Sequence, residues 1–189
     1  MIQGDKTSVR PLGRDDLSYL HRWLNDPEVM QYWQGRDRPL TMEDIERLYL
    51  SRIEGMDPLD PTLRCFTIEA EGRPIGLIQY SRLEREDRTA EIDVFIGDRG
   101  FWGRGYGTDA ILAFLGYLFN ELKLHRVWLA PQVLNARAIR AYEKAGFVRE
   151  GVFRESDWFE GHFMDTVVMS ILEQEYRARR DRPAPEGAA

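Results

Sequence analysis

The sequence predicts an α/β domain built on a mixed, mostly antiparallel central sheet with helices on both faces. Three observations predict it. The segments before Thr62 carry apolar residues at helical spacing, and those from Cys65 to Ile96 carry them at the alternating spacing of strands. The remainder reads strand, helix, strand, helix, strand, an order that requires one sheet covered on both sides. Between two of these segments stands Phe101-Trp-Gly-Arg-Gly-Tyr-Gly-Thr108, a glycine-rich turn from strand to helix.

Taken in order, Val9 to Pro11 reads as a short first strand. Asp15 to Leu24 follows as a helix, with Leu17, Leu20 and Leu24 on one face. Asp26-Pro27 is a cap followed by proline at the first helical position, opening a short helix through Trp33. Gly35 to Leu40 is a polar loop. Thr41-x-x-Asp44 resembles a capping box, and Ile45, Leu48, Tyr49 and Ile53 continue as a helix. After a proline-containing loop, Cys65 to Ala70 and Ile75 to Tyr80 read as strands joined at Glu71-Gly72. Ala90 to Ile96 alternates, with Ala90, Ile92, Val94 and Ile96 facing one way and Glu91, Asp93 and Phe95 the other. An apolar helix with Ile111, Leu112, Leu115, Leu118, Phe119 and Leu122 follows the glycine turn. Arg126 to Ala130 is a strand. Asn135 caps a helix over Ala136 to Ala145 that Gly146 ends. Phe147 to Phe153 and Met164 to Leu172 close the sheet. Residues 1–176 read as a single domain and residues 177–189, charged and rich in proline and alanine, as a disordered tail.

The composition narrows the function. A formal net charge of −6 argues against nucleic acid as a partner. No apolar run approaches the ~18 residues that span a membrane. The N-terminus lacks a signal-peptide pattern, and Cys65 is the only cysteine, which fits a reducing cytoplasm. His21, His125 and His162 are scattered, so no metal site is expected.

The glycine turn carries the most specific signal. Glycine admits positive φ and close approach of the backbone to a ligand. The helix N-terminus that follows offers unpaired N–H groups and the positive end of a dipole. Together they make a phosphate cradle. Gly105-x-Gly107-x-x-Ala110 formally fits the dinucleotide-binding fingerprint, but the next strand ends in Pro131-Gln132 rather than in an acid, and several strands precede the turn. The plain alternative is a turn that serves chain reversal alone.

Trp102-Gly-Arg-Gly105-Tyr-Gly107 resembles the Gln/Arg-x-x-Gly-x-Gly/Ala signature of the GCN5-related N-acetyltransferase (GNAT) superfamily, with Trp102 departing from its first position. Leu134-Asn135-Ala-Arg-Ala138-Ile-Arg-Ala-Tyr142-Glu-Lys-Ala-Gly146-Phe147 is similar to a second block of that family, in the family's order and spacing. The resemblance covers most of Leu63 to Phe153. It implies the GNAT fold, splayed between the strand of Asp93 and that of Trp128, with acetyl-CoA in the gap as co-substrate and no metal. It implies an enzyme that moves an acetyl group to a primary amine through a direct ternary complex. The cofactor residues it implies are Phe95, Ile96, Trp102, Gly103, Arg104, Gly105, Tyr106, Gly107, Thr108, Asn135, Ala138 and Tyr142. The turn would act through backbone amides, and Asn135 on the pantetheine arm.

The chemistry sets the remaining expectations. An acceptor ammonium with a pKa of about 10 must lose a proton, and the departing thiolate benefits from gaining one. By resemblance Tyr142 protonates the thiolate, and the competing role is packing beside Ile139 and Phe147. Glu91 and Asp93 share a strand face just before the turn and are alternative general bases, or else two solvated carboxylates. Ala-Glu91-Ile resembles the ribosomal-protein and polyamine acetyltransferases, and Ile92-Asp93 the aminoglycoside 6′-N-acetyltransferases. The latter likeness extends to Trp23-Leu-Asn25 and to Tyr32-Trp33, which would line the acceptor pocket with Asp93. The acceptor is therefore expected to be a small polycationic amine of aminoglycoside or polyamine type, the former implying antibiotic resistance. A protein N-terminus is the alternative acceptor, and a non-catalytic CoA-binding sensor the alternative class. The chain is expected to act as a monomer or homodimer. The acidic group Glu155, Asp157, Glu160 and Asp165 reads as a solvated hairpin.

Overall fold

The computed structural model describes residues 1–32, 38–159 and 161–180. Its strands are β1 (Ile2–Gln3), β2 (Ser8–Pro11), β3 (Arg64–Ala70), β4 (Arg73–Glu84), β5 (Thr89–Ile96), β6 (Arg126–Leu129), β7 (Val148–Phe159) and β8 (His162–Leu172). Its α-helices are α1 (Leu17–Leu24), α2 (Met42–Ile53), α3 (Tyr106–Asn120), α4 (Ala136–Ala145) and α5 (Glu173–Arg180). The strands make one sheet in the order β1-β2-β3-β4-β5-β6-β8-β7. Every pair is antiparallel except β5 with β6. The expected mixed, mostly antiparallel α/β architecture is what the chain adopts.

Apolar residues at helical and alternating spacing divide into two cores. On one face, Ala90 and Ile92 of β5 and Ile68 and Ile78 of the meander pack on Ile111, Phe114, Leu115 and Leu118 of α3. Ile139, Tyr142 and Ala145 of α4 join that cluster. On the other, Leu17, Leu20, Trp23 and Leu24 of α1 and Ile45 and Tyr49 of α2 cover Cys65, Leu77 and Phe95. Both arms of the Thr41/Asp44 capping box form, which fixes the start of α2.

The parallel pairing is what opens the fold. It joins only Thr89 to Arg126, Ala90 to Val127 and Glu91 to Trp128. Beyond Glu91 the strand runs on to Ile96 without a partner in β6, whose chain turns away after Leu129 into Pro131. The gap lies between the strands of Asp93 and Trp128, where the family resemblance implies the splay.

Several boundaries differ from expectation. The segment after Asp26 forms a 3-10 turn over Val29–Tyr32 rather than an α-helix. β7 continues six residues beyond Phe153, to Phe159, pairing with β8 out to Phe159 and His162 after a register shift between Phe153 and Asp157. Residues 177–180, expected in the tail, belong to α5, whose Tyr176 ring stacks on Phe119. Residues 181–189 lie outside the described residues, as do Trp33 and Glu160 and residues 35–37 of the Gly35–Leu40 loop. Among the described residues no helix is long and apolar enough to cross a membrane.

Candidate functional site

The splay opens into a cleft of about 320 Å³. Val94, Phe95 and Ile96 line one wall, and Asn135, Ala138 and Tyr142 the facing wall on α4. Trp102, Gly103, Gly105, Gly107 and Thr108 close its end. Ten of the side chains and turn residues expected around acetyl-CoA therefore meet at one opening. Gly103 and Gly105 take positive φ, +69° and +86°, which a β-carbon would strain. Gly105 is the N-cap of α3, so the first amides of that helix have no helical acceptor and face the turn.

Arg104 and Tyr106 behave differently from that group. Neither side chain lines the cleft. Tyr106 donates from its hydroxyl to Glu71 Oε1 at 2.7 Å, and Arg104 lies over the rings of Phe101 and Tyr106. What these two residues offer a ligand is backbone. Lys6 closes over the outside of the turn, donating from Nζ to the Arg104 carbonyl at 3.1 Å. Asp109, in the first turn of α3, accepts from the amides of Asp5, Lys6 and Thr7 and from the Thr7 hydroxyl. This clamp ties the N-terminal segment to the helix that bears the turn.

Asn135 is the N-cap of α4, its Oδ1 accepting from the Ala138 amide at 3.1 Å. The cap uses only Oδ1, and Asn135 lines the cleft, so capping does not exclude contact with a ligand. Tyr142 is 7% exposed and packs against Phe147 with ring centroids 5.9 Å apart. Burial, and then the charge of Asp93, push its pKa well above the ordinary tyrosine value. Its O–H therefore stays protonated at neutral pH and is a donor.

Glu91 and Asp93 stand on the opposite face of β5 from Ile92 and Val94, and neither lines the cleft itself. Through Gln79, Asp93 adjoins the core under α1 and α2. Burial is the first cause that raises both. Glu91 reaches about 7, helped by Asp93 and opposed by Arg82, which pairs with it at 3.0 Å. Asp93 is raised by burial and restrained by Gln79, whose Nε2 donates to Oδ2 at 3.2 Å. Gln79 is in turn fixed by the Cys65 thiol, which donates to its Oε1 at 3.4 Å. The Cys65 thiol itself is pushed up to about 12 by burial, so it is an inert packing group.

Some of this the sequence did not reveal. Arg82 reaches Glu91 because β4 breaks register between Ser81 and Glu84 and Arg82 takes φ +49° there. A β-bulge of this kind leaves no hydrophobic-period signal. Arg137, Arg140 and Lys144 also line the cleft. Their i, i+3, i+7 spacing on a capped helix was the available signal. Tyr32 lines the same cleft, and Trp33 is outside the described residues.

Comparison with known proteins gives the same direction. The acetyltransferase (GNAT) domain matches residues 7–148. The spermidine N(1)-acetyltransferase of Vibrio cholerae is 31% identical over 175 residues, covering 92% of this chain and 97% of that protein. Its counterpart in Escherichia coli K12 is 29% identical over 183 residues, 97% and 95% of the two chains. The aminoglycoside N(6′)-acetyltransferase type 1 of Klebsiella pneumoniae is 29% identical over 163 residues, 81% and 79% of the two. Among solved structures, a Vibrio cholerae spermidine N-acetyltransferase in complex with CoA and spermine superposes with TM-score 0.79 at 30% identity, covering 91% and 98% of the chains.

Proposed function

The chain belongs to the acetyltransferase (GNAT) family and is an acetyl-CoA-dependent N-acetyltransferase; from that premise we propose that it acetylates a small polycationic amine, of polyamine or aminoglycoside type, with Asp93 as the proton acceptor and Tyr142 as the proton donor. The observation that carries this reading is that Val94 and Phe95, next to Asp93 on β5, and Tyr142 of α4 line the same cleft. Asp93 is a half-buried carboxylate whose pKa desolvation raises, and its charge helps to raise that of Tyr142.

Acetyl-CoA supplies an activated acyl thioester, so no enzyme nucleophile is needed. The glycine turn and the open amides of α3 suit its diphosphate, and the wall of Val94 and Ile96 suits an extended arm. Asp93 draws the acceptor ammonium to the edge of β5 and takes its proton. Tyr142, kept protonated by burial, delivers a proton from α4 to the leaving sulfur. Glu91, roughly 7 Å away along the same strand face, offers a second carboxylate to a second ammonium. That spacing, and the two acceptor classes in the names of the relatives, favour an acceptor with several amines. The paired donor and acceptor speak against a sensor that binds CoA without turnover.

The test is acetyl-CoA-dependent thiol release with spermidine, a kanamycin-type aminoglycoside and an alanine-starting peptide. Turnover with either polycation and little with the peptide is expected. Turnover with the peptide alone overturns the acceptor class. Tyr142→Phe should lower kcat by about 10²-fold or more with acetyl-CoA affinity retained; an unchanged kcat removes Tyr142 from the reaction.

A further inference from the structure

The family's glycine signature begins with Gln or Arg, and position 102 of this chain is Trp. We infer that Arg137, stacked on the Trp102 ring, supplies from α4 the positive charge that meets the CoA diphosphate, replacing the polar residue missing from the turn. The inference rests on the assignment of the turn to that diphosphate.

The geometry of the pair is unusual within the molecule. The Arg137 guanidinium lies 3.7 Å from the Trp102 centroid, whereas the other cation–ring contacts among the described residues span 5.0 to 5.8 Å. The ring is itself fixed, because its Nε1–H donates to the Ile96 carbonyl at 2.6 Å. Trp102 thus spans from the end of β5 to α4 and holds the guanidinium against one face of the cleft. Both residues line that cleft together with Gly103, Gly105, Gly107 and Thr108.

The charge at this point is not otherwise used. Among the described residues Arg137 has no carboxylate partner, although most arginines of the chain pair with Asp or Glu. Its side chain is exposed at the cleft, and the partial desolvation there lowers its pKa while leaving it protonated. The chain carries a net charge of −6, so a row of Arg137, Arg140 and Lys144 turned into one cleft opposes the general charge of the surface. Arg137 is the member of that row in contact with the turn. The planar guanidinium presents two donors to one phosphate edge while its face remains on the indole.

The experiment is equilibrium binding of CoA, 3′-dephospho-CoA and pantetheine to the purified full chain and to Arg137→Gln, with folding checked by thermal melting. The wild-type chain should bind CoA more tightly than pantetheine; equal affinity would overturn the cradle assignment and this inference with it. Arg137→Gln should weaken CoA and 3′-dephospho-CoA alike, by about tenfold, and leave pantetheine unchanged. A loss confined to CoA places Arg137 on the 3′-phosphate and overturns the inference. So does unchanged CoA affinity in a variant whose parent keeps its preference over pantetheine. Trp102→Phe, which keeps a ring under the guanidinium, should lose less CoA affinity than Trp102→Ala; equal losses refute the role of the stack.

Discussion

Asp16 and Asp93 are two carboxylates beside the core under α1 and α2, and their environments push them in opposite directions. Asp16 is 2% exposed. Burial alone would raise its pKa, but it accepts both Nη atoms of Arg10 at 2.7 and 2.8 Å, the Gly13 amide at 2.9 Å and the Thr67 hydroxyl at 2.7 Å. The outcome is a pKa below the ordinary aspartate range. Among the described residues Asp93 meets one donor, the Gln79 amide at 3.2 Å, and burial wins. The difference is in the number of donors, since both are withdrawn from water. A carboxylate whose lone pairs are filled by its own fold is a fastener tying α1 to β2 and β3. One left short of donors beside an opening is available to a substrate.

The comparison is broken most directly by replacing each acid with its amide. Asp93→Asn should lower kcat by 10²- to 10⁴-fold while the melting temperature changes little, because one hydrogen bond is at stake. Steady-state kinetics with the best acceptor measures this, and retained kcat would shift the proton acceptor to Glu91 or to solvent. Asp16→Asn should do the reverse. Removing one partner of a buried pair costs about 3 kcal/mol, which for a chain of this size lowers the melting temperature by roughly 6–12 °C. Its kcat below the transition should stay near the parent's.

The sign of the pH dependence sharpens the same contrast. The folded pKa of Asp16 is depressed. Its stabilisation is therefore present above the unfolded value of about 4 and is lost as pH falls through the folded value. The gap in melting temperature between parent and Asp16→Asn should be wide at pH 7 and close below about pH 4. A gap that persisted in acid would mean that shape, and not ionisation, sets the effect.

How much of this was legible beforehand follows from the kind of signal each part leaves. The order of elements and the helices on both faces were readable because apolar period, caps and glycines are local, whereas the splay between the strands of Asp93 and Trp128 was implied only by the family resemblance. So was the meeting of the glycine turn with Asn135 and Tyr142, since two blocks in fixed order imply one cleft. The distinction between Asp16 and Asp93 was not. Asp16 looks in sequence like an acidic residue at a helix start, and its hydrogen-bond partners lie six and 51 residues away. Arg82 was hidden by a bulge, and Arg137 by sitting inside a segment already explained as cap, catalyst and glycine stop. The donation of the Tyr106 hydroxyl to Glu71, 35 residues away, was equally hidden. Periodicity gives the face a side chain points to, but the partner it meets there is a tertiary property.

The smallest expected effect belongs to Glu91, which lies between the two cases. It has a partner, Arg82, yet its pKa rises to about 7 because burial, and then Asp93, outweigh that one pair. Between about pH 4.5 and 7 the folded chain thus holds a proton that the unfolded chain has released, and Glu91 contributes less stability as pH rises through this window. Glu91→Gln should consequently raise the melting temperature slightly at pH 8 and leave it unchanged at pH 4, opposite in sign to Asp16→Asn. In the parent, ionisation of Glu91 should lower KM for a polyamine as pH passes 7. The Gln variant should lose that dependence and show a KM about threefold to tenfold higher at pH 8, on the order of 1 kcal/mol. A KM profile that keeps its inflection near 7 without Glu91 would assign the titration to Asp93, and both roles on β5 would then belong to a single carboxylate.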